Sequence, residues 1–117
     1  MGYIRDNDGK LIVDLDAPNI TSYFIVESDV KVGKNLKLGN FIKLKSGTRI
    51  GDNVTIGDYV ELSNCVIFND VILGNNLKLD NCIITPKSSL DFENFKFTST
   101  ILSGKANSAN KLNQITF

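Results

Sequence analysis

The chain has 117 residues, with 13 Lys plus Arg balanced by 13 Asp plus Glu, so charge gives no general reason to expect nucleic acid or an anionic membrane as a partner. Its hydrophobic content of 42% is enough to bury one core and argues against a disordered chain. There is no His, which removes the side chain that most often serves as general base or metal ligand near neutral pH.

The opening Met1-Gly2-Tyr3-Ile4-Arg5-Asp6 has no apolar run of the signal-peptide kind, and no segment reaches the length of a transmembrane span. A cytoplasmic protein is expected. Residues 3–15 read as a hairpin. Tyr3-Ile4-Arg5 and the run from Lys10 to Leu15 flank Asp6-Asn7-Asp8-Gly9, and Asp-Gly is a strong tight-turn signal. The three polar residues resemble the start of a calcium loop, but the Glu that such a loop needs later is missing. Pro18 and Asn19 mark the end of this unit. Residues 1–19 are therefore expected to cap the region that begins at Ile20 and to cover its unpaired strand edges.

From Ile20 a strict period of six begins. Ile20, Val26, Val32, Leu38, Leu44, Ile50, Ile56, Leu62 and Phe68 are all large and apolar. The positions two residues earlier, Phe24, Val30, Leu36, Ile42, Thr48, Val54, Val60 and Val66, are apolar except for Thr48. Each hexad reads as a short strand whose alternate side chains point inward. Gly33, Gly39, Gly51 and Gly57 follow the main position directly, and Asn35 and Asn53 lie three after it. Both residue types tolerate positive φ, which suits a sharp corner. Three such strands close a triangular coil of about 18 residues, and parallel ladders join each coil to the next. The predicted fold is all-β: a single-stranded left-handed parallel β-helix over residues 20–102, with an N-terminal hairpin cap and a tail over 103–117.

The repeat of three hexads predicts which residues stack. Val26, Leu44 and Leu62 should form one inner column, Val32, Ile50 and Phe68 a second, and Leu38 and Ile56 part of a third. After Phe68 the period slips, with Leu73 at five, Leu79 at six and Ile84 at five. The segments beginning at Asn64, Asn81 and Thr98 recur at 17, so Cys65, Cys82 and Ser99 are expected to stack. The two cysteines read as small packed thiols. A zinc site built on two thiols without His is not expected, and neither is a disulfide in a cytoplasmic setting. Over residues 85–97, Phe92, Phe95 and Phe97 should continue the core with a weaker period. Residues 103–110 suit a loop or short helix, and Lys111 to Phe117 a last strand that covers the final coil or docks on a neighbour.

Two surface features stand out. From Val30 to Ile50 there are six cations, Lys31, Lys34, Lys37, Lys43, Lys45 and Arg49, and no anion. Lys31 and Arg49 should lie one above the other, while Lys37 and Lys43 leave the other two faces. This band reads either as a solvated surface whose Lys residues discourage edge-to-edge aggregation or as a site for an anion or an acidic partner, with Lys31, Lys37, Lys43 and Arg49 as its members. No aromatic residues interleave with it as nucleic-acid stacking requires. Phe41 and Tyr59, one full coil apart at corner positions, are candidates for a subunit contact, with packing of the corners themselves as the alternative.

The run from Ile50 to Leu62, IGDNVTIGDYVEL, resembles the bacterial-transferase hexapeptide pattern. The segment LSNCVIFNDVILG from Leu62 to Gly74, with Asn81-Cys82-Ile83-Ile84, resembles the C-terminal β-helix of sugar-phosphate nucleotidyltransferases of the mannose-1-phosphate guanylyltransferase and glucose-1-phosphate nucleotidyltransferase type. That resemblance spans about residues 20–102. It implies the role such a β-helix has, assembly of subunits and regulation, since the catalytic domain of those enzymes is a separate α/β unit and no Gly-rich nucleotide-binding loop occurs here. Hexapeptide acyltransferases use a His as base, and zinc carbonic anhydrases of this fold use a His cluster. Neither set has a counterpart in this chain. Asp58 or Asp70 would be weak substitutes as a base.

The expected function is a non-catalytic assembly or regulatory module, without catalytic residues, metal or cofactor. Its expected partners are further copies of itself or a nucleotidyltransferase catalytic domain or subunit. The alternatives are a scaffold subunit of a larger complex and an acyltransferase with a non-His or borrowed base.

Overall fold

The structure is a computed structural model that describes residues 3–5, 11–14, 24–27 and 29–117. Strands Tyr3–Arg5 and Leu11–Asp14 pair antiparallel, with a bulge between Ile4 and Arg5, as the hairpin pattern predicts. The Asp6–Gly9 turn and the Pro18-Asn19 junction lie outside the described residues.

From Phe24 onward the chain winds as a hexapeptide-repeat left-handed β-helix with three flat faces. The first face stacks Phe24–Val26, Ile42–Leu44, Glu61–Ser63, Leu77–Asp80 and Phe95–Thr98. The second stacks Lys31–Val32, Arg49–Ile50, Val66–Ile67, Ile83–Ile84 and Thr100–Ser103. The third stacks Lys37–Leu38, Thr55–Ile56, Ile72–Leu73, Ser89–Leu90 and Lys105–Ala106. All these neighbours pair parallel.

The strands are short because each need only present one or two side chains to the axis before the next corner. Alternation does the sorting: Ile42 and Leu44 are buried while Lys43 between them is exposed. The first inner column runs Val26, Leu44, Leu62, Leu79, Phe97 in direct register. Leu44 and Leu62 are wholly enclosed. Burial of one such side chain contributes about 1.5–3 kcal/mol.

The second column corrects the sequence expectation. It runs Val32, Ile50, Ile67, Ile84, Leu102, so Ile67 and not Phe68 stacks on Ile50. The step from Leu62 to the next inner residue is five, where Leu44 to Ile50 is six. The shortening thus begins before Phe68. A one-residue slip exchanges the two sides of a strand. Ile67 is therefore buried and Phe68 turns out to solvent.

A second correction follows from the same count. Ile83 pairs with Ile101, so this coil regains the lost residue, which lies in the longer step from Leu90 to Phe97. The inner corner column of the second face consequently carries Thr48, Cys65, Cys82 and Thr100, all buried. Ser99 sits instead in the corner itself, at φ 51°, where its Oγ accepts from Asn81 Nδ2 at 3.0 Å.

The corners divide labour differently from the expectation as well. Positive φ falls on Asn35, Asn53, Asp70 and Lys87 at one edge and on Phe41, Tyr59, Asn76 and Asn94 at the next. Gly47, Asn64, Asn81 and Ser99 hold it at the third. Gly33, Gly39, Gly51 and Gly57 are not left-handed. They are required by close approach: a Cβ on Gly33 would stand 2.6 Å from the carbonyl of Gly51 and would strike the carboxylate of Asp52. Asp52 Oδ1 accepts from Lys34 N–H at 2.9 Å, and Asn69 Oδ1 from Asp52 N–H at 2.7 Å, so each corner bonds to the one before it.

At the C-terminal end, Ala109 and Leu112 are buried about a short 3-10 turn, Ala109–Lys111. Strand Asn113–Thr116 then returns antiparallel along Thr100–Ser103. Of the three late phenylalanines, Phe97 is buried, Phe92 is half-buried against the core and Phe95 is exposed. Phe95 lies on the last strand of the first face; its ring rests on Phe97 with centroids 4.8 Å apart.

Candidate functional site

The left-handed edge between the third and first faces carries the most distinctive surface feature. Asn is favoured at such positions because its short amide tolerates positive φ. Asn76 and Asn94 fill two of them, and Asn76 Nδ2 donates to Asn94 Oδ1 at 2.6 Å. In the two preceding coils the same positions hold Phe41, at φ 59°, and Tyr59, at φ 58°. This conformation costs a large side chain something of the order of 1–2 kcal/mol.

The two rings stack face to face, with centroids 4.9 Å apart and planes 6° from parallel. Such a pair contributes about 0.5–1.5 kcal/mol. Both remain in contact with solvent, Phe41 at 42% and Tyr59 at 57% exposure. They form a ridge along the solenoid. Beside it lies a shallow depression of about 340 Å³, bordered by Lys43, Glu61, Asn76 and Lys78. The structure thus brings together the two aromatic residues singled out from their spacing of one coil.

The basic band is placed on three faces. Lys31 and Arg49 share a rung of the second face, Lys37 leaves the third and Lys43 the first. Acceptors from adjacent coils and corners meet two members of the band. Glu61 is bonded to Lys45 at 3.5 Å and lies 3.9 Å from Lys43. Arg49 Nη1 donates to the carbonyl oxygens of Asp29, at 2.7 Å, and Thr48, at 3.0 Å. Hydrogen bonds from the Ser46 hydroxyl and the Gly47 amide, with Arg49 nearby, hold the Asp29 carboxyl below its ordinary range. The four cations do not converge on one point.

The carboxylates considered as bases are parts of the corners. Asp58 Oδ1 accepts from Asn40 N–H at 2.8 Å, the same corner bond that Asp52 makes. Asp70 occupies a left-handed corner, at φ 61°. Among the described residues no three His, Cys, Asp or Glu side chains are gathered closely enough to hold a metal ion.

Cys65 and Cys82 stack inside the second face as free thiols. Cys65 Sγ donates to the carbonyl of Leu79 at 3.1 Å. The contact with the Cys82 thiol, and then burial, push the Cys65 thiol far above its ordinary range.

Sequence reasoning missed one surface. With Ile67 turned in, Val66 faces outward in register with Ile83, Ile101 and Ile115. The five-residue step from Leu62 to Ile67 was the signal that could have revealed it.

Residues 29–64 match the sequence model of the family described as Bacterial transferase hexapeptide (six repeats). That segment contains the coils of strict period. Together with the parallel ladders, this match supports the hexapeptide-repeat β-helix. No curated protein matches the chain. Among the described residues no helix is long and apolar enough to cross a membrane.

Proposed function

We propose that this chain is a non-catalytic assembly module that associates side by side with copies of itself through the Phe41–Tyr59 ridge. In this reading it serves the role of the β-helix in sugar-phosphate nucleotidyltransferases, which it resembles over residues 20–102, and holds a catalytic domain or subunit in an ordered array. The carrying observation is the stacked, solvent-facing aromatic pair held at left-handed corners where neighbouring coils use Asn. A strained corner that exposes two rings gains the isolated chain little, whereas burial of those rings against a second ridge would offset the strain.

A second copy suits this ridge on charge as well. Lys43 and Lys78 flank it together with Glu61, so each copy offers both signs to the other. The chain is neutral overall, with 13 cationic and 13 anionic side chains, and copies do not repel one another through net charge.

The double substitution Phe41→Asn and Tyr59→Asn tests this reading, because Asn fits both corners and extends the column of Asn76 and Asn94. Sedimentation equilibrium of the unaltered chain should give an integral multiple of 12.9 kDa. The variant should keep the β-sheet circular dichroism and lose its side-by-side partners. An assembly of unchanged mass in the folded variant overturns the reading.

A further inference from the structure

Among the described residues, the strand that closes the second face is paired along one edge only. Asn113–Thr116 bonds to Thr100–Ser103 on one side only and is the terminal strand of its six-stranded sheet. All four residues are exposed, Ile115 at 63%. The ladder continues one residue further, where Phe117 N–H donates to Ser99 O at 2.8 Å.

Exposed edges invite pairing, and folded proteins blunt them with charge, Pro, bulges or a covering segment. This edge has no such charge or proline: Leu112 to Phe117 contains no charged residue and no Pro. The opposite end of the same face does, since Lys31–Val32 carries Lys31 outward. The third face ends under the Ala109–Lys111 turn.

The outward row of the second face leads to the same edge. Val66, Ile83, Ile101 and Ile115 occupy successive rungs, and exposure is greatest at Ile115 beside the open edge.

From these observations we propose that the Asn113–Thr116 edge pairs antiparallel with the same strand of a second copy, joining two solenoids tail to tail into one continuous sheet. A two-fold axis beside Ile115 sets the two Ile115 side chains next to each other and continues the apolar row into the partner. Self-pairing suits this segment because a neutral strand offers a charged partner segment no countercharge. It offers an identical strand a full ladder of backbone donors and acceptors. The contact is isologous and closes at two copies. It buries less than the roughly 1,200 Å² typical of tight complexes, so the dimer depends on concentration.

The inference is independent of the aromatic ridge, and the test keeps the two apart. The Phe41→Asn, Tyr59→Asn chain, in which side-by-side contact is removed, is followed by sedimentation velocity from micromolar to millimolar concentration. The expected species shifts from 12.9 kDa to twice that mass. Adding Ile115→Lys, which places a cation on each side of the axis, should weaken the association at least about tenfold. Ile115→Cys in the same background should form an intermolecular disulfide between the two introduced thiols on mild oxidation, since paired strands set these Cα atoms within disulfide reach. A chain that stays monomeric throughout, an association that survives Ile115→Lys, or an Ile115→Cys chain that does not cross-link at dimer-forming concentrations each overturns the proposal.

Discussion

The coils over residues 29–64 and those beyond them are built on the same inner columns, yet they present different outsides. In the first group each coil keeps three full hexads, Gly stands under an Asx side chain at two of its corners, and the second face shows Lys31 and Arg49. In the second group the step from the first face to the second loses a residue. Coils one residue shorter appear, and the second face shows Val66, Ile83 and Ile101. The core tolerates this change because Leu62, Leu79 and Phe97 keep their register, as do Ile67, Ile84 and Leu102. A solenoid of this kind can therefore change its surface by shortening a corner while its interior stays continuous.

The sharpest way to break this comparison is to truncate the two residues that the slip exchanges. Ile67→Ala should cost about 2–5 kcal/mol, as for other fully buried aliphatic side chains. Phe68→Ala should change stability by no more than about 0.5 kcal/mol, as at an exposed site. Chemical denaturation of both variants measures this, and the opposite order would restore the strict six-residue period through position 68.

The role of Gly in the regular coils gives the next largest effect. Gly51→Ala should destabilise by about 1–3 kcal/mol, because its methyl group meets the Asn69 side-chain oxygen. Adding Asn69→Ala removes that oxygen, and the remaining neighbours, Asn69 N and the Phe68 carbonyl carbon, lie 3.0 Å away. The double variant should recover much of the loss, so a double-mutant cycle monitored by thermal unfolding should show strong coupling. Additive losses would mean that the glycine is needed for its backbone freedom.

The smallest effect concerns the inner corner of the second face. Thr100 Oγ1 donates to Thr98 O at 2.8 Å, and Cys65 Sγ reaches Leu79 O. In the earlier coil Thr48 is fully buried, and among the described residues its hydroxyl has no hydrogen-bond partner. Thr48→Val keeps the shape and removes the desolvated hydroxyl, so it should raise stability by up to about 1 kcal/mol. A fall in the unfolding midpoint would show that the hydroxyl is satisfied in solution.

Much of this molecule is written in local pattern. A six-residue period of apolar side chains requires short strands around a common axis, and strand alternation decides that Leu44 points in and Lys43 out. The stacking of Phe41 on Tyr59 follows from their spacing within two intact coils. Three features depended on contacts between coils that no local pattern records. Phe68 turned outward because the corner before it is one residue shorter, and Ile67 fits the column equally well as an apolar residue. Gly33 and Gly51 are held to Gly by atoms of the next coil and not by their own torsion angles. Lys43 and Lys45 meet Glu61 of the next coil only because parallel stacking brings their strands together. The sequence by itself determined the axis, the faces and the inner columns as far as Leu62, since these follow from side-chain polarity at a fixed period. The tertiary structure alone decided which residues meet across the corners and which face solvent, since that depends on the length of each turn of the coil.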